Sequence, residues 1–138
     1  MIAATDLRIG NVLLYNNVKH DKFALIVEDV SKYGINYEEG NHMEVKFSEL
    51  LPIKLTPEIL EQVGFELKYA EYYGIDCDGY FGSYDFLDVG NGIQVFDDEG
   101  CKVVLLEYLH DIQNFYYQFT KQELPIDINT LKVWKKHL

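Results

Sequence analysis

The stretch LTPEILEQVGF, residues 55–65, carries the clearest local structural signal in the chain and separates two strand-rich regions. Thr56 is a natural N-cap, and Pro57 fits the first helical position, where the N–H that proline lacks has no partner anyway. Gly64 can adopt the left-handed conformation that ends a helix, which lets Phe65 fold back onto the preceding turn. The stretch therefore predicts a two-turn helix with both of its ends defined by sequence.

Residues 5–53, before this helix, have the pattern of a run of short strands. Turn-forming residues separate four apolar or alternating segments, RIGNVLLY (8–15), KFALIVEDV (22–30), YGINYEEG (33–40) and MEVKFSELLPI (43–53). Short strands cannot bury a face singly, so they need closure or a second layer. The strand rhythm resembles that of Tudor, KOW and other SH3-like modules, which implies a small SH3-like β-barrel.

Residues 66–105, after the helix, again read as strands. Aromatic and β-branched residues are frequent in the segments FELKYAEYYGI (65–75), GYFGSYDFLDV (79–89), GIQVFDD (92–98) and CKVVLLEYL (101–109). The compositions CDG, GNG and DDEG between them are typical of turns, so an antiparallel meander is the simplest arrangement. A helix predicted at about residues 105–121 would pack on this sheet, and the tail after Pro125 could add a short strand and a terminal helix capped by Asn129.

The predicted fold class is therefore α+β: a small SH3-like β-barrel followed by a short helix, an antiparallel β-meander and a long C-terminal helix. Residues 1–54 would form the barrel and residues 55–138 the α+β unit, with both packed as one compact domain. A chain of 138 residues with 48% hydrophobic residues, 11 Tyr and 8 Phe has the apolar surface that such a core needs.

The net charge of −11 is unevenly distributed. No Lys or Arg occurs between Lys68 and Lys102, while eight acidic residues fall there: Glu71, Asp76, Asp78, Asp85, Asp88, Asp97, Asp98 and Glu99. A field of this sign repels phosphate backbones, so we expect no direct binding to nucleic acid. A basic protein surface is the more natural electrostatic partner.

The sequence also indicates where the protein works. No apolar run reaches the length that spans a membrane, and the first residues, MIAATDLRIGN, lack the basic and apolar regions of a secretory signal. We therefore expect a cytoplasmic protein without a membrane partner. Cys77 and Cys101 lie in different segments without the spacing of metal ligands, which favours reduced structural thiols.

Sequence signatures of catalysis and of cofactor binding are mostly absent. The segments DCDGYFG and DVGNG lack the lysine and the strand–helix context of a phosphate loop. Asp76 and Asp78 begin a calcium-loop pattern that fails, because Tyr80 stands where a third oxygen ligand is needed. We expect no cofactor and no dedicated metal site. An enzyme is the least favoured of the functional hypotheses; it would use His110 and would need an orienting carboxylate, for which Asp111 and Glu107 lie nearby in sequence.

The predicted C-terminal helix, LEYLHDIQNFYYQF (106–119), has a polar face as well as an apolar one. Residues at i, i+3, i+4 and i+7 spacing share this face, which we call the polar stripe: His110, Gln113, Asn114 and Tyr117. All four side chains donate and accept hydrogen bonds when the histidine is neutral. Two interpretations stay open, namely hydrogen bonding to backbone at a helix–barrel seam and a binding surface.

The two ends of the chain carry motifs, DLRIGN (6–11) and YLHDIQNFYYQFTKQEL (108–124). Together with the central helix, they resemble a family of small uncharacterised proteins encoded by phages and mobile elements of anaerobic gut bacteria. The matching positions are Asp6, Leu7, Arg8, Gly10, Asn11, His110, Gln113, Asn114, Tyr116, Thr120, Glu123 and Leu124. The chain departs from that pattern at Lys121, where the family often has glycine, and in extending past Leu124. The resemblance implies an origin and no activity, and it singles out Arg8, which could pair with a carboxylate at the barrel seam.

The leading functional hypothesis is a non-enzymatic protein-binding module of phage or mobile-element origin. It would bind an unidentified protein through the polar stripe or through a barrel groove lined by Tyr15, Tyr33 and Tyr37. The alternative is an acidic inhibitor that mimics nucleic acid and binds a basic host protein. Its surface would consist of Asp76, Asp78, Asp85, Asp88, Asp97, Asp98 and Glu99.

Overall fold

The computed structural model describes residues 2–16, 23–37, 43–76, 80–128 and 131. These residues form an α+β structure with two antiparallel five-stranded sheets. Each sheet belongs to its own compact unit. The first sheet lies in the part of the chain up to Ile53, and the second lies in Lys54–Asp127. The predicted division after residue 54 lies one residue from this boundary. Ile128 and Leu131 group with the first unit, and the predicted helix after Asn129 lies outside the described residues.

The first sheet is a meander whose fifth strand returns to pair with the first, in the order β4-β3-β2-β1-β5. Its strands are β1 (Val12–Tyr15), β2 (Phe23–Val30), β3 (Gly34–Tyr37), β4 (Met43–Lys46) and β5 (Leu50–Leu51). One turn of 3-10 helix, Phe47–Glu49, precedes β5, and the sheet curls into a half-barrel. Leu25 and Val27 alternate with exposed or half-buried neighbours on β2, so one face of the strand supplies the core.

Helix α1 (Pro57–Gln62) opens the second unit and has the ends that the sequence predicts. The Thr56 hydroxyl accepts a hydrogen bond from the backbone N–H of Ile59 at 3.3 Å, which satisfies one of the free amide groups of the first turn. Gly64 has a φ of +103°, a conformation that residues with a Cβ rarely adopt. The predicted capped helix is therefore confirmed.

The second sheet is the predicted antiparallel meander, in the order β10-β9-β8-β7-β6. Its strands are β6 (Glu66–Tyr69), β7 (Tyr72–Gly74), β8 (Asp85–Asp88), β9 (Ile93–Phe96) and β10 (Lys102–Leu106). A turn of 3-10 helix, Tyr80–Ser83, replaces the start of the segment that the sequence predicts as a strand over 79–89.

A tight hairpin divides the segment that the sequence predicts as one strand over 65–75. Tyr69 pairs directly with Tyr72, so Ala70 and Glu71 form the whole connection between β6 and β7. Ala70 has a φ of 47°, a conformation in which glycine or asparagine is usual. The prediction of a single strand was wrong here because no residue typical of turns marks the reversal.

Helix α2 (Leu109–Thr120) begins later than predicted, because Leu105 and Leu106 belong to β10. The Asp111 carboxylate closes its first turn by accepting a hydrogen bond from the backbone N–H of Tyr108 at 3.0 Å. At the other end, Lys121 has a φ of 59°, and its N–H donates to the carbonyl of Tyr117 at 2.8 Å.

Helix α2 packs over the inner face of the second sheet through aromatic side chains. The Phe81 ring centroid lies 5.7 Å from that of Phe86 on β8 and 5.1 Å from that of Tyr116 on α2. On the apolar face of α2, Leu109, Ile112, Phe115 and Tyr116 are buried, whereas Phe119 is exposed. The sheet therefore has one face covered by helix and one face that points away from it.

Candidate functional site

The face of the second sheet that points away from α2 carries two neighbouring rows of side chains, fixed by the strand register. One row runs across all five strands and consists of Tyr69, Tyr72, Leu87, Gln94 and Leu105. The next row places Phe96 between Asp85 and Lys102. We call this surface, made of Tyr69, Tyr72, Asp85, Leu87, Gln94, Phe96 and Leu105, the outer face.

Burial distinguishes the two sides of the sheet sharply. Phe86 on β8 is 0% exposed, as are the inward residues of β9, whereas its chain neighbour Leu87 is half-buried. Tyr69 is 54% exposed, and the remaining apolar residues of the outer face are half-buried. An antiparallel sheet with one solvated face normally presents polar side chains there. Apolar side chains on that face are therefore a candidate docking surface.

Aromatic contacts order part of this surface. The Tyr72 ring centroid lies 5.2 Å from that of Tyr69 and 6.0 Å from that of Phe96. The Gln94 side-chain amide, in the same row, donates to the carbonyl of Val104 at 3.1 Å. These contacts hold the rings in place, which lowers the entropy lost when a partner binds.

Asp85 is the acidic residue on the central strand of the outer face. Its Oδ1 accepts a hydrogen bond from Lys68 Nζ at 3.0 Å, and its Oδ2 accepts one from the Tyr69 hydroxyl at 2.6 Å. The bond to Asp85 raises the pKa of Tyr69, and desolvation and the Asp85 charge act in the same direction. Each oxygen of this carboxylate therefore accepts a hydrogen bond from a residue of β6.

The second unit carries the whole net charge of the protein. Residues 54–127 contain 15 Asp and Glu against four Lys, whereas the remaining residues contain eight acidic and eight basic ones. The apolar outer face thus belongs to a strongly acidic unit. Long-range attraction would favour a basic partner for it.

In the structure, some residues of the predicted acidic surface accept hydrogen bonds from neighbouring residues, and others are simply exposed to solvent. Asp85 takes the contacts given above, Asp88 Oδ1 accepts from Gly90 N at 3.0 Å, and Asp97 Oδ1 accepts from Cys101 N at 2.8 Å. Such bonds shape hairpin turns. Asp76, Asp98 and Glu99 are exposed, and Asp78 lies outside the described residues.

The four residues of the polar stripe share one side of α2, but they differ in burial. His110 is 4% and Gln113 is 1% exposed, while Asn114 and Tyr117 are half-buried. The His110 ring stacks on Tyr108 at a centroid distance of 5.7 Å, and each of the four residues has intramolecular interactions. Only Asn114 and Tyr117 therefore offer side-chain surface to a partner.

Two of the three predicted barrel tyrosines lie together. Tyr15 stacks on Phe23 at 5.1 Å between ring centroids, and Tyr37 lies 6.2 Å from Tyr15. Tyr33 is elsewhere, 65% exposed, with the Lys32 ammonium 5.0 Å from its ring centroid.

The opening motif has a structural explanation within the first unit. The N–H of Asn11 donates to the carbonyl of Arg8 at 3.1 Å, and Gly10 has the positive φ of 97° that such a turn requires at its third residue. The Asn11 side chain is buried and accepts from the Arg8 N–H at 2.7 Å. The Arg8 guanidinium donates to the carbonyl of Ile9 at 2.9 Å.

Within the described part of the chain, no group of three or more His, Cys, Asp or Glu side chains is placed to hold a metal ion. No helix in these residues is long and apolar enough to cross a membrane. Cys101 is an exposed free thiol, and Cys77 lies outside the described residues.

The outer face is the feature that the sequence did not single out. Alternation in DFLD (85–88) and IQVF (93–96) indicates two faces per strand, but apolar residues occur on both.

Comparison of the chain with protein-family models, with curated proteins and with solved structures finds no match.

Proposed function

We propose that this protein is a non-enzymatic protein-binding module that docks a basic protein on its outer face. The observation that carries the proposal is the row of half-exposed apolar side chains, Tyr72, Leu87 and Leu105 among them, on a unit that holds the whole net charge of −11. Apolar contact supplies binding energy, and the acidic surroundings supply attraction and selectivity.

The polar stripe supports this function less directly. His110 and Gln113 are buried, so we assign them to the packing of α2 rather than to contact with a partner. Asn114 and Tyr117 are half-buried, and contact of a partner there is the competing hypothesis rather than part of this proposal.

We further propose that the first unit is an SH3-like module, and that the chain is a phage or mobile-element protein working in the cytoplasm. The strand order, with β5 returning to β1 after one turn of 3-10 helix, supports an SH3-like relationship. The end motifs support the origin. Neither point supplies an activity.

A pull-down from bacterial lysate tests the binding function, with the tagged full chain as bait at low and high salt. We expect a protein that is captured by the wild type at both salt concentrations and is lost with the double variant Tyr72→Gln, Leu87→Gln. Tyr33→Gln is the matched control, because this exposed tyrosine lies in the other unit. Equal capture by the wild type and the double variant would contradict docking on the outer face.

The alternative function is an acidic nucleic-acid mimic, and the exposed acids Asp98 and Glu99 in the turn between β9 and β10 favour it. It predicts capture that is lost at high salt, because exposed charges are screened. It also predicts that Asp98→Lys with Glu99→Lys abolishes capture while the outer-face double variant retains it.

A further inference from the structure

Asp85 occupies an unusual place for an acidic residue. It lies on β8, the central strand of the sheet, and its side chain is only 17% exposed among the apolar groups of the outer face. A carboxylate that loses water needs donors in return. Both donors that Asp85 has here, Lys68 and Tyr69, come from the edge strand β6.

Lys68 reaches Asp85 by crossing the strand between them. A Cβ atom at Gly74, on β7, would collide with the side-chain carbons of Lys68, so glycine at this position leaves the path open. Lys68 also lies where the register of β6 shifts, between Leu67 and Tyr69. A register shift on an edge strand re-aims a side chain, and here the lysine lies across the sheet.

The chemistry of this pair makes it replaceable. The Lys68 side chain is 33% exposed, and a lysine at such a place is a single flexible point charge whose pairing adds little to stability. An arginine guanidinium presents two parallel donors that match a carboxylate, so it competes well for the same oxygen atoms. The lysine thus provides the cation that a bound partner could supply instead.

We propose that Asp85 is the specificity-determining residue of the outer face and accepts an arginine guanidinium of the basic partner. Lys68 holds the carboxylate in the unbound protein and is displaced on binding. The inference rests on the proposed docking function and adds the chemical group that the surface selects.

The test uses two synthetic peptides and the full chain. The peptide acetyl-Trp-Leu-Arg-Leu-Trp-amide presents one arginine between apolar residues, and its counterpart replaces arginine with citrulline, which has the same shape without the charge. Nuclear magnetic resonance titration of the labelled protein locates the binding surface and gives both dissociation constants. We expect the arginine peptide to bind about fivefold more tightly to the wild type, the size of an ordinary ion pair.

Two variants distinguish the role of Asp85 from docking on the outer face itself. Asp85→Asn should bind both peptides equally, and Lys68→Met should bind the arginine peptide more tightly than the wild type does, because the competing ammonium is gone. Equal binding of the two peptides to the wild type, with shifts on the outer face, would overturn the role of Asp85 and leave the docking surface standing. Binding of neither peptide to the outer face would overturn both.

Discussion

Truncation of two neighbouring residues of one strand should destabilise the protein to very different extents if the outer face is a surface and not a second core. Phe86 is completely buried, with its ring centroid 4.9 Å from that of Phe65 and 5.7 Å from that of Phe81. Phe86→Ala should lower the free energy of unfolding by about 3–5 kcal/mol, the usual loss for a buried phenylalanine. Leu87→Ala should lower it by about 1 kcal/mol, because a half-buried leucine loses only part of the contacts of a buried one.

Urea denaturation followed by circular dichroism measures the free energy of unfolding of each variant and of the wild type, all at the same protein concentration. A loss of 3–5 kcal/mol is a large part of the stability of a small domain, so Phe86→Ala could unfold the chain. Phe86→Leu is then the variant to measure, with an expected loss of about 1–2 kcal/mol. Equal losses for the two alanine variants, or a smaller loss for Phe86→Leu than for Leu87→Ala, would refute the assignment of inner and outer faces.

Three further predictions follow from backbone geometry and from Asp85. Lys121→Gly should raise the free energy of unfolding by about 1 kcal/mol, because the residue has a positive φ at the end of α2. The control Gln118→Gly, within the helix, should lower the free energy of unfolding by about 1 kcal/mol. A change of the same sign in both variants would contradict this reasoning. Gly34→Ala should cost about 1–3 kcal/mol in thermal or urea unfolding, since its Cβ would meet backbone atoms of β4, and a neutral result would show that the strands separate easily. Asp85→Asn should lower the raised pKa of Tyr69 toward the ordinary value of 10.0, as measured by carbon resonance titration of labelled tyrosine. In the wild type, the hydrogen bond from Tyr69 to Asp85 stabilises the fold below pH 10, and this contribution is lost as the pH rises through the raised pKa of Tyr69. If the pKa of Tyr69 is the same in Asp85→Asn as in the wild type, the hydrogen bond is not the cause of the raised pKa.

Local signals were sufficient to predict parts of the fold. Helix α1 follows from Thr56, Pro57 and Gly64, because capping depends on residues within one turn of the helix end. The meander follows from the turn compositions between its later strands. The hairpin at Ala70 could not be predicted, since the pairing of two strands, and not the preference of the turn residue, determines that reversal.

The candidate site depended on information that is not local. Spacing alone places the polar stripe on one side of α2, but the burial of Gln113 depends on what packs against the helix. The outer face depends on which side of β8 and β9 the helix covers, and both sides carry apolar residues. The contact between Lys68 and Asp85 needs a register shift in β6 and a glycine on the intervening strand. The sequence shows Gly74, but it does not show the strand pairing that places this glycine beneath Lys68.

The most direct test of the proposed docking surface is site-specific photo-crosslinking in bacterial cells. A photoreactive phenylalanine analogue would replace Leu87 on the outer face in one variant and Tyr117 on the polar stripe in another. We predict a discrete crosslinked product with a basic protein at position 87 and none at position 117. A product at position 117 alone would contradict docking on the outer face and return the recognition role to the helix.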